Sequence, residues 1–161
     1  MKKTVFLAFC LLIWGTSCKK ETAKYPNTPQ IYYQSINTHQ VQVTDPNTMV
    51  SVRFKFTDGD QNIADNPEET DSTIFLLDSR DISGNDYTYA YPMPYIPKAQ
   101  RPNGGLEGVV TLNLNNGYFS PKDSLHLALG KDTMFWLIYI QDNDGNKSNI
   151  IKTDTIYLNY R

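Results

Sequence analysis

The chain has 161 residues, of which fifteen are Lys or Arg and seventeen are Asp or Glu, so its formal net charge is −2. This length suits one domain, and the lack of a basic excess argues against nucleic acid as a partner, because phosphate binding needs a positively charged surface. Two cysteines and two histidines are too few for a disulfide framework or a zinc cluster. No residue pattern identifies a reaction.

The amino-terminal segment has the order of a secretory signal. Lys2 and Lys3 precede the apolar run Val5–Trp14, which is followed by the small residues 15–17. Such a run rises only about 15 Å as a helix, half of the roughly 30 Å needed to cross a bilayer core. We therefore predict that residues 1–17 form a cleaved signal peptide and not a membrane-spanning helix.

The end of this segment, Gly15-Thr16-Ser17-Cys18, resembles the lipobox of bacterial lipoproteins, in which the cysteine is acylated and becomes the first mature residue. The usual aliphatic position holds Gly15 here. The next residues, Lys19-Lys20-Glu21, resemble the export signal of bacteroidete-type surface lipoproteins. The resemblance implies lipidation at Cys18 and attachment to the membrane of the bacterial envelope, at the outer membrane and exposed on the surface. A plain secretory peptide cleaved near residue 17 is the alternative.

Residues 18–30 predict a flexible tether, because they are polar, contain two prolines and show no hydrophobic period. A segment of this kind holds a domain away from the lipid headgroups. Cys10 leaves with the signal and Cys18 carries lipid in this interpretation, so no thiol remains for a disulfide or a nucleophile. We expect one folded domain, residues 31–161, that depends on its apolar core.

From residue 31 onward the hydrophobic pattern has a period of two. In the run 50–57 the even-numbered residues are apolar and the odd-numbered ones polar, as a half-buried strand requires. The runs 74–77 and 135–140 are apolar on both faces, which favours central strands. The other predicted strands are Ile31–Ile36, Tyr87–Tyr91, Val110–Leu114 and Ile150–Leu158.

About seven short strands separated by turn-forming residues favour an all-β fold, an antiparallel immunoglobulin-like β-sandwich. A jelly roll or a small barrel is the alternative. Trp136 lies in a strand that is apolar on both faces, and we predict that it fills the core between the sheets. The segment 120–130 gives conflicting signals, since a helix-start pattern precedes three alternating leucines. We predict a short turn or an extra strand there.

Two acidic loops follow predicted strands. Asp58-Gly59-Asp60 comes after the run 50–57, and Asp142-Asn143-Asp144-Gly145-Asn146 comes after the run 135–140. With the strands in sequential order these are the B–C and F–G loops, which share one pole of an immunoglobulin-like sandwich. The two loops are therefore expected to face each other.

Carboxylate and amide oxygens at alternate positions are the ligands that Ca²⁺ takes in proteins. Our candidate calcium ligands are Asp58, Asp60, Asp142 and Asp144, with Asn146 as a secondary ligand. The alternative is that the same Asp-Gly and Gly-Asn pairs serve only as hairpin turns, which favour these residues with or without a metal. Calcium is the one cofactor that the sequence suggests.

The Asp-Gly-Asp loop, together with Asp-x-Asp-Gly-Asn-x-Ser-Asn before the last strand, resembles small bacteroidete-type surface lipoproteins with a single Ig-like domain. The resemblance covers residues 50–158. Members of this group are mostly of unassigned function, so the resemblance implies a fold and a location and no activity.

Tyr87, Tyr89 and Tyr91 would share one face of an extended segment. Exposed aromatic rows bind proteins or sugars, because each ring buries a large area at a small entropic cost. These tyrosines are therefore candidate ligand-binding residues. The alternative is an edge strand whose tyrosines cover the core, with prolines preventing further strand pairing.

The sequence contains no recognisable catalyst. His39 and His126 lie in different segments without an evident carboxylate or serine partner, and the nucleophile-elbow, zinc-protease and phosphate-loop patterns are absent. We predict a protein that is not an enzyme and that acts in binding, adhesion or assembly through a protein partner. A glycan-binding module that uses the tyrosine row is the alternative.

Overall fold

The computed structural model describes residues 24–67, 73–81 and 84–161. The predicted signal peptide, residues 1–17, and the lipidation candidate Cys18 lie outside these residues. The described part is mostly β, as the hydrophobic pattern predicts, and contains ten strands and one α-helix. Their bounds are β1 Gln30–Ile36, β2 Gln40–Gln42, β3 Met49–Asp58, β4 Ile74–Asp78, β5 Tyr89–Tyr91, β6 Leu106–Asn115, α1 Ser124–Leu129, β7 Lys131–Met134, β8 Trp136–Ile140, β9 Ile151–Lys152 and β10 Ile156–Asn159.

The strands form three sheets, with the orders β1-β3-β6, β5-β4-β8-β9 and β2-β10-β7. Pairing is antiparallel except between β2 and β10, which run parallel. The prediction of a wholly antiparallel arrangement is therefore wrong at that pair. A strand of three residues such as β2 is too short to show a hydrophobic period, so its pairing leaves no signal in the sequence.

The core lies where the apolar faces of these sheets meet. The even-numbered residues 50–56 of β3 are all buried, with at most 3% of their surface exposed, which confirms the alternation seen in the sequence. Trp136 is fully buried, as predicted, and its ring meets that of Tyr89 edge-on at a centroid distance of 5.7 Å. Burial of each large apolar side chain contributes about 1.5–3 kcal/mol to the free energy of unfolding.

The segment 120–130 differs from its prediction, because residues 124–129 form the helix α1. Asp123 caps its first turn by accepting the backbone N–H of His126 at 2.8 Å, and Gly130 ends it in the left-handed conformation, with φ of 70°. These end signals outweigh the alternation of leucines 125, 127 and 129, all of which are more than half exposed.

His126 also has carboxylate partners, which the sequence did not reveal: its ring nitrogens lie 2.8 Å from Asp123 Oδ2 and 3.6 Å from Asp132 Oδ1.

The described part of the predicted flexible tether also differs from expectation. Residues 24–29 pack against the loop that follows β3, and the N–H of Gly59 donates to the carbonyl of Pro26 at 2.8 Å. This part of the segment is therefore attached to the domain. Among the described residues, no helix is long and apolar enough to cross a membrane.

Candidate metal centre

The two acidic loops come together at one pole of the molecule. Asp58 ends β3, and Asp142 lies two residues after the end of β8, so each loop begins at the carboxyl end of a strand. Asp58, Asp60 and Asp142 each offer a carboxylate oxygen, and the three oxygens lie within 4.8 Å of one another. The predicted meeting of the two loops is therefore confirmed for three of the five candidate ligands.

Asp58, the last residue of β3, is fully buried. Its Oδ2 accepts the backbone N–H of Ile63 at 3.1 Å, whereas its Oδ1 has no hydrogen-bond partner among the described residues. Burial raises the pKa of Asp58 to about 7; the bond from Ile63 opposes this shift, and the nearby carboxyl groups of Asp60 and Asp142 add to it. A buried carboxylate with an unpaired oxygen is costly, because the charge has left water without a full replacement for its hydrogen bonds.

Asp142, which is 5% exposed, closes its own turn. Its Oδ1 accepts the backbone N–H groups of Asp144 at 3.0 Å and of Asn146 at 2.8 Å, and its Oδ2 accepts the side-chain amide of Asn146 at 2.9 Å. Gly145 supplies the positive φ of 85° that the turn requires. The loop thus has the hairpin-turn geometry of the alternative interpretation, and the same Asp142 side chain also belongs to the carboxylate cluster.

Asp144 does not belong to the carboxylate cluster, contrary to the prediction, and Asn146 contacts the cluster through its side-chain amide. Asp144 Oδ2 accepts a hydrogen bond from the side-chain amide of Asn62 at 2.8 Å, and the amide of Asn146 donates to Asp142. Because the turn is closed on Asp142, its later side chains bond to neighbouring loop residues instead of meeting Asp58. Asp144 therefore acts from outside the cluster, by holding Asn62.

Asn62 was not among the predicted ligands, although it continues the alternate spacing of Asp58 and Asp60. Its Oδ1 is buried and has no hydrogen-bond partner among the described residues. Its amide nitrogen is fixed by Asp144. The loop after β3 therefore holds two buried oxygens that lack a donor, one on Asp58 and one on Asn62.

Arg101 fixes the shape of this loop from outside the acidic motifs. Its guanidinium donates to the backbone carbonyls of Gln61, Ile63 and Ala64, at 2.6 Å for Ala64, and its Nε donates to the carbonyl of Ile96. Gln61 and Ala64 have φ angles of 64° and 52°, a conformation that non-glycine residues adopt only when the surroundings impose it. Nothing in the sequence marks Arg101, because its partners are main-chain atoms of a distant segment.

The three candidate tyrosines do not form one row. Tyr89 and Tyr91 face the core, and the ring of Tyr89 lies between Trp136 and Tyr118, 4.9 Å from the latter. Tyr87 instead packs on Phe75 with a centroid distance of 5.0 Å. The prediction of a single face is wrong, because regular extended structure begins only at Tyr89. Residues 89–91 form the edge strand β5, and its two tyrosines cover the core, as in the alternative interpretation.

Comparison of the chain with protein-family models, with curated proteins and with solved structures gives no significant match. Carboxylate oxygens and an amide oxygen are hard ligands of the kind that bind Ca²⁺ or Mg²⁺. The residues that could hold such an ion are Asp58, Asp60 and Asp142. Asn62, in the same loop, offers a further buried oxygen without a donor among the described residues.

Proposed function

We propose that the chain is a lipid-anchored, non-catalytic binding domain of the bacterial cell envelope, with an immunoglobulin-like fold whose acidic pole binds Ca²⁺. The observation that carries the metal is the Oδ1 atom of Asp58, which is buried, lacks a hydrogen-bond partner among the described residues and lies in a cluster with Asp60 and Asp142. Three carboxylates held this close repel one another, and a divalent cation reverses that repulsion.

The type of ligand favours Ca²⁺ over Mg²⁺, because Ca²⁺ accepts several protein carboxylate and amide oxygens in an irregular shell whereas Mg²⁺ usually keeps several waters. Oxygens bound to Ca²⁺ at about 2.3–2.6 Å can stand up to about 5 Å apart across the ion, whereas Mg²⁺ at about 2.0–2.1 Å demands a tighter and more regular shell. The carboxylate oxygens of Asp58, Asp60 and Asp142 lie within 4.8 Å of one another, which is close enough for one Ca²⁺ to contact all three. Asn62 Oδ1 and water would complete the shell.

The order of strands in the sheets supports the immunoglobulin-like interpretation. When β1, β3 and β6 are taken as A, B and E, and β5, β4, β8 and β9 as C′, C, F and G, the neighbouring strands in these two sheets are those of that fold. The cation would then join the B–C loop to the F–G loop. In variable domains of antibodies, the same pole carries the binding loops.

The metal is tested by the thermal stability of the full chain in 1 mM CaCl₂ and in EGTA. Ca²⁺ at a hundred times its dissociation constant should raise the free energy of unfolding by about 2.7 kcal/mol. The increase should disappear in Asp58→Asn and in Asp142→Asn. It should persist in the control Asp86→Asn, whose exposed carboxylate pairs with Lys147 on the surface. An unchanged melting temperature of the parent chain, or an increase that survives Asp58→Asn, would contradict the proposal.

The anchor is supported by the sequence before residue 19 and is tested separately. Substitution Cys18→Ser removes the acylated atom, so the protein should move from the membrane fraction to the soluble fraction of the cell. Two or more acyl chains are needed for lasting attachment, and lipoprotein processing supplies them. Unchanged partitioning of Cys18→Ser would contradict the lipid anchor while leaving the metal site untouched.

A further inference from the structure

Residues 24–29, which we call the strap, connect the region of the proposed lipid anchor to β1 and lie across the metal-site pole. The backbone N–H of Lys24 donates to the carbonyl of Gly104 at 2.5 Å, and the carbonyl of Pro26 accepts from Gly59 at 2.8 Å. The hydroxyl of Tyr25 donates to the carboxylate of Glu107. The strap is therefore held at three points, by the loop after β3, the turn before β6 and the start of β6.

The closest of these contacts is at Gly59, which stands between the candidate ligands Asp58 and Asp60. A Cβ atom at this position would lie 2.6 Å from the carbonyl oxygen of Pro26 and closer still to that of Tyr25, and neither backbone atom can move aside cheaply. The ring of Tyr25 covers Gly105 in the same way, 2.8 Å from where a Cβ would stand. Residue 59 must therefore lack a side chain for the strap to dock in this position against the loop that carries Asp60.

We propose that the strap is a metal-responsive latch, an inference that rests on the proposed Ca²⁺ site. A cation bound by Asp58, Asp60 and Asp142 holds the backbone at Gly59 in the shape that receives Tyr25 and Pro26. Without the cation, repulsion among the carboxylates loosens the loop, and the strap loses its main docking point. Ca²⁺ binding and strap docking then stabilise each other, since coupling between two sites is reciprocal.

The latch would set how far the domain stands from its anchor. Each residue of extended chain spans at most about 3.3–3.6 Å, so release of the six strap residues lengthens the free tether by up to about 20 Å. At millimolar Ca²⁺ the strap stays docked and the free tether is short, a step that also rests on the proposed lipid anchor. At low Ca²⁺ the domain stands further away and turns more freely.

The test combines calorimetric titration of Ca²⁺ with hydrogen–deuterium exchange of the full chain in detergent. With Ca²⁺, exchange should slow at the amides of Lys24 and Gly59, the two N–H groups that bridge strap and domain. If calorimetry shows no Ca²⁺ binding, the proposed function fails and the latch fails with it. If Ca²⁺ binds but exchange at these two amides is unchanged, the latch alone is overturned.

Two variants test the reciprocal effect. Tyr25→Ala removes the strap's ring without touching a ligand, and it should weaken Ca²⁺ binding by about fivefold or more, the usual size of a coupling between sites. Gly59→Ala blocks docking by steric conflict and should abolish the Ca²⁺-dependent protection at Lys24. The control Gly117→Ala lies at the other end of the molecule, in a 3₁₀ turn, and should change neither quantity. Ca²⁺ affinity equal to that of the parent chain in Tyr25→Ala would contradict the latch.

Discussion

The guanidinium of Arg80 binds the carboxylate of Asp78 through two hydrogen bonds, Nη2 to Oδ2 at 2.7 Å and Nε to Oδ1 at 3.0 Å, at the end of the molecule opposite the acidic pole. Asp78 is fully buried and the side chain of Arg80 is 8% exposed. Arg80 also donates to the hydroxyl of Tyr160 and lies 3.5 Å from Asp132. Arg80 is thus the main partner of the buried carboxylate that ends β4, and Lys122 Nζ lies further away, 3.8 Å from Asp78 Oδ2.

Substitution of Arg80 should lower the free energy of unfolding. In Arg80→Met the carboxylate of Asp78 stays buried without its main partner, and loss of one member of a buried pair lowers the free energy of unfolding by about 3–5 kcal/mol. Urea denaturation followed by circular dichroism measures the change. The exposed Arg53 on β3 is the matched control, because a surface substitution such as Arg53→Met should cost about 0.5 kcal/mol or less. Equal losses of stability in Arg80→Met and Arg53→Met would contradict the stabilising role of the Arg80–Asp78 pair.

Arg101 should stabilise the conformation of the loop after β3 even without metal. In Arg101→Met the carbonyls of Ile63 and Ala64 lose their charged donor while Gln61 and Ala64 keep their positive φ angles, so the free energy of unfolding in EGTA should fall by about 1–3 kcal/mol. Ca²⁺ affinity should fall as well, because the loop that holds Asp58 is less ordered. Lys98→Met, at an exposed residue nearby, is the control. Equal free energies of unfolding in Arg101→Met and Lys98→Met would contradict this role of Arg101.

The cap of α1 should make stability depend on pH. A hydrogen bond with Asp123 raises the pKa of His126 above 6.5, with the charge of Asp132 adding to this effect and burial and Arg80 opposing it. The interaction of His126 with Asp123 therefore contributes fully to the free energy of unfolding below pH 6.5. This contribution is lost as the pH rises through the raised pKa of His126. The backbone N–H of His126 lowers the pKa of Asp123 below 3.8. The contribution of Asp123 to the free energy of unfolding is therefore present above pH 3.8 and is lost on acidification.

The stability difference between the parent chain and His126→Gln should thus be largest between about pH 4 and 6.5 and should shrink above that range. Urea denaturation at half-unit intervals of pH measures it. Asp123→Asn serves as the control background, since the same histidine substitution should have a smaller and flatter effect once its main partner is neutral. A difference that stays constant from pH 5 to pH 9 would contradict the interpretation.

Much of the fold could be predicted because its strands are long enough to show a period. β3 has ten residues, and its alternation places every core residue on one face. β2 and β7 have three and four residues, too few for a pattern. The helix α1 was missed because its evidence lies in two end residues, Asp123 and Gly130, and its leucines make no buried face that would show a helical period.

The candidate site could be predicted as far as its loops and no further. Sequential strand order brings the acidic loops to one pole, which is why Asp58 and Asp142 were found together. Which oxygen remains unpaired depends on individual N–H donors, and these are set by the turn that Asp142 closes. Arg101 and the packing of Tyr25 against Gly105 depend on contacts with backbone, which leave no residue signature in either segment.

The last strand has a consequence for how the chain reaches its folded state. β10 is the middle strand of its sheet, paired with β2 from the first third of the domain on one side and with β7 on the other. Neither neighbour has its partner until residues 156–159 have been synthesised. A growing chain therefore completes this sheet last of the three, because the last strands of the other two sheets end at residues 115 and 152.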